Sequence, residues 1–190
     1  MVNKMPGYPA DKYANLRVGY TFMFGHCGKK LLFMGQDFGQ EREWSEEREL
    51  DWFLLEEKNN LGMHHYVRDL LELYRKYPCM YENDNSWKGF EWMNADDADR
   101  STYSFVRKSE SGRNNLLFVM NMTPMRWENY VVPVPKKKKY KLVLNCDDTC
   151  YGGNGNTVPE ELTAVSEPCH YHDYSVSFDL PPYTAVVYQF

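Results

Sequence analysis

Apolar positions change period partway along the chain, and the change predicts two kinds of structure. From Asp11 to His26, the residues Ala14, Leu16, Tyr20, Met23 and Phe24 recur near helical spacing. Asp11, just after Pro9, is placed to open that helix as an N-cap, its carboxylate accepting from a free amide of the first turn. Gly28 then interrupts, and Leu31-Leu32-Phe33-Met34 runs without a polar break to Gly35. A short apolar run between glycines predicts a strand covered on both faces, as in a parallel sheet. A second helix is expected over Leu61–Tyr77, with Val67, Leu70, Leu71, Tyr74 and Tyr77 on one stripe and Pro78 ending it. Helix, buried strand, long loop and helix make an incomplete α/β unit, because a buried parallel strand needs parallel neighbours and none is visible here.

The second half has a different rhythm. Short candidate strands recur at Lys88–Met93, Thr102–Lys108, Asn115–Met122, Asn129–Val134, Tyr140–Asn145, Tyr174–Leu180 and Tyr183–Phe190. Turn-forming stretches separate them, among them SESGRNN, PVPKKKK, YGGNGN and LPPY. Partial alternation and an excess of Val, Tyr, Phe and Leu predict antiparallel sheets packed as a sandwich. A boundary is expected between Pro78 and Asn85, which divides the chain into residues 1–80 and residues 85–190.

Composition adds little to that division but excludes several functions. Hydrophobic residues at 43% and charged residues at 26% are those of a folded globular chain rather than a disordered one. Net charge is -5, and the one basic run, Lys136 to Lys139, sits beside Pro135 as a solvated hairpin loop would. Nucleic acid is therefore not the expected partner. No apolar run is long enough to span a membrane, and MVNKMPGYPADKY has no signal-peptide core. The five cysteines lack metal-ligand spacing, so they are read as free thiols in a reducing cytoplasm, with no metal. With no GxSxG, no phosphate-binding loop and no dinucleotide fingerprint, no cofactor is expected.

Candidate chemistry concentrates in the loop Gly35–Trp44, which would leave the carboxyl end of the buried strand, where α/β folds bind ligands. Its side chains suit sugars. Gln36, Asp37, Gln40 and Glu43 can bond hydroxyls, and Trp44 offers an apolar face. The same residues also fit a plain connector, with Trp44 and Trp52 plugging it and the acids solvated. Glycoside chemistry needs two carboxylates about 5 Å apart for retention or about 6.5–9.5 Å for inversion. No pair along this chain can be assigned that way. Asp96, Asp97 and Asp99 look like turn residues. Asp147 and Asp148 beside YGGNGN lack the spacing of a calcium loop, and His64 and His65 suit a cap or a surface.

The words NKMPG, DKYANLR and GYTFMFGHCGKKLLFMGQDFGQEREWSEERELDWFLLE, in that order, closely resemble the late catalytic-barrel segment of the bacterial 1,4-α-glucan (glycogen) branching enzymes, within the amylase-like glycoside hydrolase superfamily. The resemblance continues through HHYVRDLLELYRKYP, FVMNMTP, LNCDDTCYGGNGN and LPPYTAVV, covering nearly the whole chain. It implies an α/β remnant, the last strand and helices of a TIM-type (β/α)8 barrel, followed by the all-β antiparallel sandwich of the amylase-type C-terminal domain. Leu31–Gly35 would be the eighth barrel strand, Gln36–Leu50 the loop after it, Leu61–Tyr77 the eighth helix, and Asp11–His26 the seventh helix or its continuation.

The resemblance also implies that the catalytic residues lie elsewhere. The family's Asp nucleophile, Glu acid/base and His-Asp motif all fall upstream of Met1, so no catalytic residue is assigned and the chain alone is expected to be inactive. Asp37, Gln40, Glu43 and Trp44 would form one wall of the α-glucan cleft. The family carries Glu where this chain has Asp37, which weakens that one assignment, and Pro where it has Cys27. Two other readings stand beside this one. The chain could be a stand-alone α-glucan-binding module with Trp87, Trp92 and Trp127 as a stacking platform. It could also be a structural domain that self-associates through Leu31–Met34.

Overall fold

The computed structural model describes residues 1–190. Helix α1 spans Pro9–Gly25 and α2 spans Lys58–Lys76. Eight strands follow: β1 (Phe90–Asp97), β2 (Thr102–Arg107), β3 (Leu116–Asn121), β4 (Trp127–Val134), β5 (Lys139–Asn145), β6 (Glu161–Thr163), β7 (Tyr174–Leu180) and β8 (Ala185–Gln189). Six of them form one sheet in the order β1-β2-β3-β8-β5-β6, and β4 pairs with β7 in a second. Every pairing is antiparallel. The sandwich expected for the second half is present, with one strand, β6, that the hydrophobic pattern did not reveal.

Layering explains the sequence of the central strands. Leu116–Met120 and Ala185–Tyr188 are buried at every position because each face of the large sheet is covered. Phe105, Phe118 and Val187 lie side by side in register on one face. There they meet Phe24, Tyr66, Leu70 and Leu73 of the helices in a single core. The alternate residues Val106, Leu117, Val186 and Tyr188 point the other way, into a second core with Val132, Val134, Val176 and Phe178 of β4 and β7. The helices thus occupy one side of the six-stranded sheet and the two-stranded sheet the other.

Both helices form near their expected places. Pro9 is the first residue of α1, a position that needs no amide donor. Asp11 is its third residue rather than the N-cap, and its carboxylate reaches back to accept from the Tyr8 amide at 3.1 Å. At the other end, a Cβ on Gly25 would stand 2.8 Å from the rings of Phe105 and Phe118, so only glycine lets the helix end approach the sheet this closely. In α2, Met63, Tyr66, Val67, Leu70 and Leu73 form the buried stripe, while Leu71 faces outward.

The strand expected at Leu31–Met34 does not form. Leu31 is 76% exposed, Phe33 43% and Met34 51%, and no residue of the segment enters a ladder. The reason is physical. A parallel strand gains its hydrogen bonds and its cover from neighbouring strands, and all strands in this chain are committed to the antiparallel sheets. The segment instead leads into a turn, with the Gln36 amide donating to the Phe33 carbonyl at 3.0 Å.

Candidate functional site

The loop that carries the candidate residues is held from below by the two helices. Gly35 and Gly39, at φ +77° and +68°, bracket a single 3-10 turn, Gln36–Phe38, whose sharp ends require the left-handed region. Phe38 points inward and is fully buried, with the Trp52 ring packed on it at 5.3 Å. Tyr20 of α1 donates its hydroxyl to the Gln36 carbonyl at 2.7 Å. Asn60 of α2 donates to the carbonyls of Phe38 and Gly39 at 2.9 and 3.2 Å while accepting from the Tyr13 hydroxyl at 3.1 Å. Burial, followed by the Asp37 charge, pushes the Tyr20 phenol up. Burial, then Glu41, does the same to Tyr13. Both therefore remain neutral donors across the physiological range.

The four candidate residues separate into distinct situations. Gln40 is buried and its amide is engaged on both sides. Oε1 accepts from the Asp51 amide at 2.8 Å, and Nε2 donates to the Arg42 carbonyl at 3.0 Å. With an ion pair between Arg42 and Asp51, it ties the two ends of the loop together. Asp37 is half-buried and faces α2, its Oδ2 lying 3.5 Å from His64 Nδ1. Glu43 is exposed and pairs with Lys4 at 3.2 Å. Trp44 is 44% exposed and meets the Phe33 ring edge-on at 5.2 Å. Glu43 and Trp44 thus lie on the outer rim, Gln40 braces the loop from within, and Asp37 is drawn toward the second helix. Asn60 and His64 are the partners that residue spacing did not reveal. Their side chains reach the loop only because α2 packs beneath it.

Other clusters weighed from residue type are engaged in holding turns. Asp147 is buried and accepts from the Asn154 and Asn156 amides and from Asn156 Nδ2 at 2.8–3.0 Å, which closes the YGGNGN turn. Asp97 ends β1 and accepts from Thr102, Tyr130 and Arg100. Nowhere do three His, Cys, Asp or Glu side chains gather as a metal site would require, and all five cysteines are free thiols. No helix is long and apolar enough to cross a membrane.

Against this geometry, a sequence model described as "Alpha amylase, C-terminal all-beta domain" matches residues 92–190, about half of the chain. The 1,4-alpha-glucan branching enzyme GlgB of Butyrivibrio fibrisolvens is 64% identical over all 190 residues, which span 30% of its length. That of Nitrobacter hamburgensis is 44% identical over 189 residues, covering 98% of this chain and 25% of its own. The chain therefore spans less than a third of these curated relatives. Among solved structures, the native form of the Nostoc punctiforme debranching enzyme superposes with a TM-score of 0.60 at 15% identity, over 93% of this chain and 31% of that one. The alpha-amylase from H. orenii gives 0.55 at 16% identity, over 94% and 35%. At such identities the likeness is one of fold, and its extent takes in the helical half as well as the sheets.

Proposed function

The chain belongs to the family of alpha amylase C-terminal all-beta domains, and from that premise we propose that it is the C-terminal part of a 1,4-α-glucan branching enzyme. The observation that carries the proposal is the 64% identity to the Butyrivibrio fibrisolvens enzyme, which runs through helices, loop and sheets alike. The parent would cut an α-1,4-glucan, hold the released segment as a covalent glycosyl-enzyme, and pass it to a 6-hydroxyl to make an α-1,6 branch. Nucleophile and acid/base belong to the remainder of such an enzyme, and without them the covalent route is closed.

Within that reading, residues 1–80 complete a (β/α)8 barrel and residues 85–190 form the domain that supports it. The apolar surface of Leu31, Phe33 and Met34 is what an eighth strand would bury against the barrel interior and the outer helices while its backbone edges paired with the first and seventh strands. Left open, the same surface should drive self-association. Trp44 supplies a ring for sugar stacking, Glu43 and Asp37 supply hydroxyl acceptors, and Gln40 acts as a positioning residue, since its own amide is already bonded. Five free thiols favour a cytoplasmic setting.

Replacing the matching segment of the Butyrivibrio fibrisolvens enzyme with this chain tests the proposal. The chimera should branch amylose, read as a fall in iodine absorbance, and the isolated chain should not. A folded but inactive chimera, or glucan transfer by the isolated chain, would overturn it.

A further inference from the structure

A cavity of about 330 Å³ opens where α1 ends and β1 begins, lined by His26, Cys27, Asp84, Ser86, Trp87 and Trp92 among others. It lies beyond the last residue of α2, whereas the candidate loop contacts the first turns of that helix at Asn60 and His64. None of the lining residues belongs to that loop or to the side chains that hold it, so the cavity is not part of the loop site. Its size falls within the usual range for small-ligand sites, roughly 300–1,000 Å³.

The wall is built from fixed aromatic rings. His26 stacks on Phe22 at 5.4 Å and lies 5.0 Å from Phe90 and 5.9 Å from Trp92. Trp92 stands edge-on to Phe90 at 5.1 Å. Trp87, at the mouth, is 84% exposed, the most exposed tryptophan of the chain. The turn that presents it is pinned at both ends. Asp84 Oδ1 accepts from buried Arg107 at 2.9 Å and from the Gly28 amide at 3.2 Å. The Gly89 amide donates to the Ser86 carbonyl at 3.1 Å. A Cβ on Gly89 would lie 2.4 Å from the Asn83 carbonyl oxygen, so the backbone is drawn in tightly there. Polar groups surround the rings: the Ser86 hydroxyl, the Asn85 amide and the second nitrogen of His26, whose Nδ1 faces the Cys27 carbonyl at 3.2 Å. Asp84 Oδ2, in the wall, has no hydrogen-bond partner, and Lys29 Nζ lies 4.0 Å from it.

Rigid aromatic faces ringed by short polar side chains match the chemistry of a pyranose, which is apolar on its face and hydroxylated on its edge. We propose that this cavity is a second α-glucan-binding site, in which a sugar ring lies on Trp87 and its hydroxyls bond Asn85, Ser86 and His26. The choice of an α-linked chain rests on the branching-enzyme reading above. Placed away from the cleft loop, the site would hold a polymer chain while another part of it is processed.

Titration of the purified chain with maltoheptaose, followed by calorimetry in the Trp44→Ala background, separates this site from the loop. Binding should persist there, and adding Trp87→Ala should weaken it at least about tenfold, with Trp87→Tyr restoring part of the loss. Because Trp87 is exposed, the far-UV spectrum should not change. Maltoheptaose binding that is absent in the Trp44→Ala background, or indifferent to Trp87→Ala, overturns the site and leaves the branching-enzyme reading standing. Cellohexaose bound through Trp87 in preference to maltoheptaose overturns the α-linked occupant and the reading behind it.

Discussion

Asn60→Ala is the sharpest probe of how the candidate loop is held. Asn60 is buried and makes three hydrogen bonds, to the Phe38 and Gly39 carbonyls and from the Tyr13 hydroxyl. Each is worth about 1 kcal/mol net, and the change leaves all three buried partners without the amide. The expected loss of global stability is about 3 kcal/mol, read as a lower urea midpoint at unchanged m-value. A local effect should accompany it. The Gly39 and Gln40 amides, bonded to the carbonyls of Gln36 and Gly35, should exchange with solvent faster than amides of the central strands. Asn60→Asp keeps the acceptor for Tyr13 but turns a carboxylate toward two carbonyls, so it should cost at least as much at pH 7. Protonation restores a donor, so part of that loss should be recovered toward pH 4. An Asn60→Ala cost below about 1 kcal/mol, or unchanged exchange at Gly39 and Gln40, would refute the idea that α2 positions this loop through Asn60.

Other consequences follow from the packing. Gly62→Ala should destabilise by about 1–3 kcal/mol, because its Cβ would stand 2.5 Å from the Tyr151 carbonyl oxygen. Gly19→Ala, with nothing within 4 Å, should stabilise by about 0.5–1 kcal/mol; thermal melts that move the same way for both would contradict the structure. Arg107→Met should cost about 3–5 kcal/mol by urea unfolding, since it strips the partner from buried Asp84 and the donor from the carbonyls of Gly25, Met80 and Gly89. Burial pulls the Lys30 ammonium down from the ordinary 10.5 to about 8. Between those values the unfolded chain binds the extra proton, so the Lys30 contribution to stability should rise with pH from about 8, while the thiols that burial pushes up, Cys79 and Cys146 foremost, oppose it above their ordinary 9 and the raised tyrosines oppose it past 10. Lys30→Met should remove that rise, and a profile identical to the parent's would discount the burial.

What could be read from the chain alone follows from local rules. Helix period, Pro9 and Pro78 placed α1 and α2 to within a few residues, and the turn-forming stretches between Val- and Tyr-rich runs located seven of the eight strands. β6 escaped because three residues, Glu161–Thr163, are too short for a period and are held only by their neighbour β5. The family was legible too, because words such as KKLLFMG and REW, in their order along the chain, resemble those of the branching enzymes. Tertiary structure alone decided the rest. Leu31–Met34 has the composition of a buried strand, yet strand formation depends on partners that composition cannot count. The continuous run Leu116–Met120, of the same kind, is a strand because helices cover one face and β4–β7 the other. Gln40 and Trp44 read alike as sugar-facing residues. One is bonded into the loop and the other left open, since which side of a turn a residue takes is set by Asn60 and Tyr20 beneath it, far away along the chain.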